Sequence, residues 1–479
     1  MIGVSMGMTS EEPITHLTWF SELLGQAQLP MAEHLLVMTL PGSYLDHFAR
    51  ERGAPSRSLQ LDGGTGTGGR MSAPTTRVFL LPAALALANL SYPSRQHGQL
   101  RAVLSRAWEL YNLELATVRP AEHPFVQLAA AMSEASREGA CFVLLRIPEG
   151  WQALLPWIEQ LMEESLGKGD KGVVVFDDQT RFQGGGKPGP YPIRVEVVTD
   201  VVGAGGAGEI APAQIGERVF VLEQPYLVAE EPVGRLAAVT SCFLGWQLSM
   251  ALYGYAQGIT FAGQPAVENY KARARTLRMQ DDPLTVIDRW GSVSKEGGLT
   301  LCMPEGIEER IEGAINRMPE GIDGGIEGAI NRAPTDVLAR MLREARAGHL
   351  LGYLDVTVNG EVSSELRAVL DRDARLLGNE LLGVPVKVRR APAAYHSTEQ
   401  SEMDGPPWLV SLRLLGRAHE PCVVGAYDDR FLRAQAVSTW QAMLEKGRTC
   451  FLLVVDGYLD DAIEPLTGFF TAVEQHLME

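Results

Sequence analysis

The sequence predicts an α/β protein built from parallel sheets covered by helices. Two observations carry this. Apolar runs with β-branched character alternate along the chain with helix-period stretches. Glycine- and proline-rich turns separate the two kinds of segment. His34–Leu40 reads as a strand, followed by a turn at Pro41-Gly42 and a helix from Tyr44 to about Arg52. Cys141–Ile147 reads as a strand with a helix behind it through Leu161. Arg194–Val198 and Arg218–Leu222 read as two more strands, and the rest of Asp177–Glu217, rich in glycine and proline, as long loops. Leu236–Gly258 is a long apolar helix. Beyond Pro334, helices are expected at Thr335–Arg346, Ser363–Leu377 and Asp429–Glu445. Strands are expected at Leu350–Val356, Val386–Arg389, Trp408–Leu414 and Thr449–Val455.

At 479 residues the chain has room for about two to four domains. A 46% hydrophobic and 21% charged composition is that of ordinary folded protein. The net charge of −17 repels nucleic acid and anionic membrane at long range and excludes both as expected partners. An anionic substrate would need a local cluster of cations or backbone N–H groups, set against that field. Cys141, Cys242, Cys302, Cys422 and Cys450 are odd in number and widely spaced, with no Cys-x-x-Cys, which fits reduced thiols in the cytoplasm. No Lys or Arg precedes the first apolar residues, so no signal peptide is expected.

Leu236–Tyr255 carries no charge over about the length of a membrane span. Thr240, Ser241, Gln247 and Ser249 lie within it and no basic cluster flanks it, so it is expected as a buried helix of a large core. MPEGIEERIEGAINR (303–317) is followed at once by MPEGIDGGIEGAINR (318–332), a tandem duplication of period 15. Two copies are too few for a solenoid, and the segment reads as an insert within a linker.

Four segments in order resemble the glucose-6-phosphate isomerase family, in the form found in fused transaldolase–glucose-6-phosphate isomerase proteins. GGRMSAPTTRVFLLPAAL (Gly68–Leu85) is similar to that family's Gly-Gly-Arg-aromatic-Ser signature. WIEQLMEESLGKGDKG (Trp157–Gly172) is similar to its Glu-Gln-Leu…Glu-Ser…Gly-Lys stretch. FAGQPAVENYK (Phe261–Lys271) and YHSTEQ (Tyr395–Gln400) resemble its Asp-Gln-x-Gly-Val-Glu-x-x-Lys and His-Ser-Thr-Gly-Gln motifs. TLPGSYLDHFARERG (39–53) adds weaker support. GVSMGMTSEEP (Gly3–Pro13) stands where the family has a Ser-Lys-Ser-Gly-Thr-Thr phosphate loop, with Met6 in place of the lysine. In the family a strand and a helix precede that loop, and the chain is expected to start at the loop itself. A sheet lacking its first strand would leave an open edge unless something covers it.

The resemblance implies two sugar-isomerase (SIS) type parallel-sheet α/β sandwich domains, 1–125 (incomplete) and 126–275. A linker at 276–334 and a C-terminal α/β domain at 335–479 follow. It implies interconversion of glucose 6-phosphate and fructose 6-phosphate, a step of glycolysis and gluconeogenesis, through a cis-enediolate, with no metal or redox cofactor. Glu164 would be the C2 base, burial raising its pKa towards neutrality, with Glu159 and Glu163 as local competitors. Arg70 would polarise the carbonyl and stabilise the enediolate. Lys271 would assist ring opening, although Gly263 and Ala266 depart from the signature. His396 would pass a proton to the ring oxygen, Glu399 beside it replacing the family's glycine. Ser5, Thr9 and Ser10 would bind phosphate at a helix start. Thr9 and Ser10 with Glu12 also read as N-caps. Ser72, Lys168 and Gln264 are secondary candidates.

Other motifs carry less. GTGTGG (64–69) lacks the Lys-Ser/Thr of a P-loop, and no His/Cys group has metal-ligand spacing. Besides an isomerase, the sequence admits a non-catalytic phosphosugar-binding protein. It also admits a subunit requiring a partner chain that carries transaldolase and supplies N-terminal elements. The resemblance further implies a homodimer.

Overall fold

A computed structural model describes residues 1–7, 11–64, 69–71, 74, 76–88, 96–111, 119–139, 142–177, 192–199, 218–280, 282–289, 291–304, 333–348, 350–396, 398–418 and 428–479. The described chain is α/β, with three sheets.

The first sheet is parallel, in the order β1 (Ile2–Val4), β2 (Leu36–Thr39), β3 (Ser56–Ser58). Helices α1 (Glu12–Gln26), α2 (Met31–His34) and α3 (Tyr44–Glu51) connect the strands. Alternation along β1 and β2 splits their side chains between two faces. Leu17 and Leu24 of α1 and Leu45, Phe48 and Ala49 of α3 pack on Val37. On the other face, Leu36 and Met38 join Leu59, Val78 and Leu81. Gly3 allows the close approach of α1, since a Cβ there would meet Leu17 at 2.6 Å. Ile2–Val4 is a strand whose last two residues open the segment that resembles a phosphate loop. Three residues are too few to register a period of two. β1 lies at the sheet edge, with Ile2 and Val4 42% and 40% exposed.

The second sheet is parallel and ordered β5 (Val174–Asp177), β4 (Phe142–Arg146), β6 (Ile193–Val198), β7 (Arg218–Glu223). Before it in the chain come α4 (Arg77–Ala88), α5 (Gln96–Tyr111) and α6 (Pro124–Arg137), and β4 runs to β5 through α7 (Leu155–Leu166). The apolar segment forms α8 (Pro232–Gln257), opened by a proline in its first turn and closed by Gly258 at φ 67°. It has the length and hydropathy of a membrane span, with 56% of its apolar window buried within the protein. Two of its polar groups are served internally, whereas Ser241 Oγ is buried with no hydrogen-bond partner among the described residues. Ser249 Oγ donates to Phe125 O (2.7 Å) and Thr240 Oγ1 to Leu236 O (2.7 Å). Ala238, Cys242, Trp246 and Met250 of α8 share one core with α6, α7 and the sheet.

The third sheet has six strands in the order β11 (Val386–Ala391), β10 (Tyr353–Asn359), β12 (Leu409–Gly416), β13 (Thr449–Val455), β9 (Leu299–Pro304), β8 (Gly291–Glu296). β10 to β13 are parallel, whereas β9 runs antiparallel to β13 and forms a hairpin with β8 across Gly297-Gly298. The expected linker 276–334 thus contributes two strands to the C-terminal sheet. Its 15-residue repeat lies almost wholly outside the described residues. Helices α9 (Pro265–Leu277), α10 (Pro334–Ala347), α11 (Ser364–Arg375), α12 (Glu399–Asp404), α13 (Asp429–Glu445) and α14 (Ile463–Met478) complete the fold. One face of the third sheet packs on α10, α11 and α14. The other face shares a core with the second sheet. Phe142 and Phe176 stack edge-on against Tyr353 at 5.7 and 5.5 Å between ring centres.

Candidate active site

Four of the resembling segments meet at the C-terminal end of α7. Arg70 lies in a single 3₁₀ turn, Gly69–Met71. Its guanidinium donates from Nη1 to Glu164 Oε1 (2.9 Å), from Nε to Ser165 Oγ (2.7 Å) and from Nη2 to the Phe261 carbonyl (3.1 Å). Glu164 and Ser165 belong to the last turn of α7, and Phe261 to the stretch leading into α9. The Arg70 and Glu164 side chains are 3% and 8% exposed. Burial lowers the Arg70 pKa and Glu164 pulls it back up. Gln160, one turn before Glu164, donates to its second oxygen (3.0 Å), and Trp157 donates from Nε1 to the Arg70 carbonyl (3.2 Å).

Gln400, from the YHSTEQ segment, joins the fourth piece. Its amide donates to Gly167 O (3.0 Å) and accepts from Ala266 N (3.1 Å), tying the end of α7 to the start of α9. Only glycine fits at position 167, because a Cβ would lie 2.4 Å from the Ser401 backbone. Lys168 donates to the carbonyls of Thr260 (2.7 Å) and Ala262 (3.1 Å). Burial, and after it the charge of Arg70, bring the Lys168 pKa down to about 8.

Lys271 stands away from the Arg70–Glu164 pair. It lines a cleft between the start of α1 and α9, beside Glu11, Glu12, Tyr270 and Arg275. Along α9 it is five residues from Ala266, a rise of about 7.5 Å. Glu11 bonds Arg275 (2.9 Å) and Arg278 (2.8 Å), which holds the start of α1 against α9. Ser5 Oγ accepts from Gly7 N (3.1 Å), and Gly7 sits at φ 67°, under Ser43. Met6, at the family's lysine position, packs with Met38, Leu40 and Leu59. Gln264 is the residue preceding α9 and makes no side-chain cap. Thr9, Ser10 and Ser72 lie outside the described residues. His396 ends the turn Ala393–His396, three residues before α12.

The competing carboxylates point elsewhere. Glu163 is fully buried between the second and third sheets, where its Oε1 takes the Val175 N–H of β5 (2.9 Å) and the Lys387 ammonium of β11. Burial pushes its carboxyl up to about 7, against the pull of Lys387. Glu159 accepts from Lys387 at 2.5 Å. Glu399, expected beside His396, is instead buried and pairs with Arg413 (3.2 Å), which also holds Glu402 (2.7 Å). Arg389 joins Asp355 (3.2 Å) to Glu402 in the same layer.

The sequence reading missed Gln160, Ser165, the Phe261 carbonyl and Gln400 as supports of the pair. All four lie within the quoted segments, and Gln160 carries the further signal of its spacing of four from Glu164.

No family model matches the chain, and no curated protein matches it. Among solved structures, a hypothetical protein from Thermus thermophilus aligns at 20% identity and a TM-score of 0.43, covering 57% of this chain and 70% of that one. A glucose-6-phosphate isomerase from Chlamydia trachomatis aligns at 16% identity and a TM-score of 0.40, covering 59% of this chain and 60% of that one. The C-terminal domain of glucosamine-fructose-6-phosphate aminotransferase from Francisella tularensis aligns at 9% identity and a TM-score of 0.20, covering 79% of this chain and 94% of that one. At these identities and TM-scores the likenesses fix neither family nor activity.

Proposed function

We propose that the chain is an aldose–ketose isomerase acting on glucose 6-phosphate and fructose 6-phosphate. One observation carries this reading. The two residues singled out from separate motifs, Arg70 and Glu164, are 94 positions apart in sequence and form one buried, directly bonded pair. In the aldose direction the Glu164 carboxylate takes the C2 proton. The C–H electron pair then forms the C1–C2 double bond and the C1 carbonyl becomes an oxyanion. Arg70 offsets that negative charge as it develops, in a site from which water is largely excluded. Return of the proton from Glu164 to C1, with transfer of the 2-hydroxyl proton to the C1 oxyanion, leaves a C2 carbonyl and a C1 hydroxymethyl group and gives the ketose. His396 serves ring opening, and Ser5, Thr9 and Ser10 hold the phosphate, so that its binding energy orients the reacting carbons. Lys271, in its cleft with Glu11 and Glu12, stands outside this step.

The packing of Met6 into the sheet cluster favours a second reading, phosphosugar binding without turnover, because the loop lacks the cation that the resembling family places there. A coupled assay of fructose 6-phosphate conversion, paired with calorimetric titration of the same ligand, separates the two. The isomerase reading predicts turnover. Binding without turnover would replace it with the second reading, and neither would remove both. Among the described residues β1 is an edge strand, which suits a second copy or a partner chain adding a strand, as sedimentation of the purified chain would report.

A further inference from the structure

We propose that Lys387 is a positioning residue for this site, fixing the rotation of α7 and so aiming Glu164 at Arg70 and the substrate. The inference rests on the isomerase reading for its kinetic part only. Lys387 comes from β11 of the third sheet, far from α7 in sequence. Its side chain is 6% exposed and bonds both Glu159 (2.5 Å) and Glu163 of α7. The ammonium also lies over the Phe176 ring, 5.0 Å from its centre, and Phe176 belongs to β5, the strand that follows α7.

Residues 159 and 163 are one turn apart and share a face of the helix. Residue 164 is rotated about 100° further round. One cation bonded to two carboxylates a turn apart therefore restrains both the height of α7 and its rotation. Glu163 Oε1 additionally accepts the Val175 N–H, a second anchor on the Lys387-facing side. From that adjacent face of α7, Glu164 meets Arg70 at 2.9 Å.

A buried ion pair of this kind adds little net stability over an apolar pair of equal volume, so holding direction is the role that remains for it. A displacement of reacting groups by about 1 Å can cost on the order of 10²-fold in rate.

The test compares Lys387→Met with the double variant Lys387→Met/Glu163→Gln, which also neutralises Glu163, the fully buried one of the two carboxylates that the first change strands. Positioning predicts that Lys387→Met lowers kcat for fructose 6-phosphate by about 10- to 100-fold, with KM nearly unchanged. It also predicts that the double variant regains the wild-type unfolding midpoint but not kcat. Recovery of kcat together with the midpoint, or an unchanged kcat in Lys387→Met, would overturn it. A second readout is independent of turnover. In protein labelled at the glutamate carboxyl carbon, the Glu164 resonance, assigned by its loss in Glu164→Gln, should move in both Lys387 variants. If the wild type proves inactive while that resonance moves, the isomerase reading fails and the positioning stands. A resonance that stays in place overturns the positioning itself.

Discussion

Glu164→Gln is expected to lower kcat for fructose 6-phosphate conversion by about 10²- to 10⁴-fold, the usual contribution of a positioned base. The amide keeps the shape of the carboxylate and an oxygen that can accept from Arg70 Nη1, so KM should change little. It cannot take a proton from carbon. The substitution also leaves the Arg70 guanidinium, 3% exposed, without a charge partner. Weakening a charged hydrogen bond of this kind costs about 1–3 kcal/mol, visible as a lower urea midpoint with an unchanged far-ultraviolet spectrum. A loss of rate that far exceeds the loss of folded fraction is the signature of a catalytic role. If rate falls only in proportion to folded protein, Glu164 is structural. The pair then holds the turn Gly69–Met71 on α7 and nothing more.

Arg413→Met should be the most destabilising single change in the layer between the second and third sheets. Arg413 is 0% exposed and donates to Glu402 (2.7 Å), Glu399 (3.2 Å) and Thr439 (3.0 Å). Burial pushes the Glu399 carboxyl well above its ordinary range. Glu402 ends below its ordinary range, because Arg389 and Arg413 together outweigh the effect of its burial. Removing Arg413 leaves Glu402 with a single guanidinium in a dry layer. Breaking a buried pair in this way costs about 3–5 kcal/mol, to be read from urea unfolding of the two proteins. Arg50 provides the contrast. Its pair with Asp46 is similarly short at 2.5 Å, but the Arg50 side chain is 65% exposed. Truncation there should cost no more than about 1 kcal/mol.

Long apolar runs were legible. Asp429–Glu445 and Thr449–Val455 were read with the bounds that α13 and β13 take. Such segments carry their own period, and burial reinforces it. Short pieces held by neighbours were not legible. Ser56–Ser58 contributes three polar residues to β3 and pairs with β2 through its backbone alone. The β8–β9 hairpin did carry a signal, Gly297-Gly298 between alternating segments. It was absorbed into the expected linker because the duplicated segment follows it directly.

The site divides along the same line. Arg70 and Glu164 stood out because each sits in a motif. Lys387, Arg389 and Arg413 did not. On a strand, VKVRRA and SLRLL read as one apolar and one solvated face. Here the charged face of β11 and β12 is covered by α7 and α12, so the charges are buried against one another. No pattern within a single strand reveals what packs upon it. Lys271 was legible as a residue type, yet its cleft with Glu11 and Glu12 depends on a contact between α1 and α9 more than 250 positions apart.

The most direct test of the central claim is isotope exchange in heavy water. Glucose 6-phosphate is incubated with the purified chain and the C2 position is followed by proton magnetic resonance. Proton transfer by Glu164 through an enediolate predicts that deuterium enters C2, and C1 of the fructose 6-phosphate formed, at a rate that collapses in Glu164→Gln. A folded chain that binds the sugar phosphate while its carbon-bound protons persist unexchanged and no ketose forms would contradict the account.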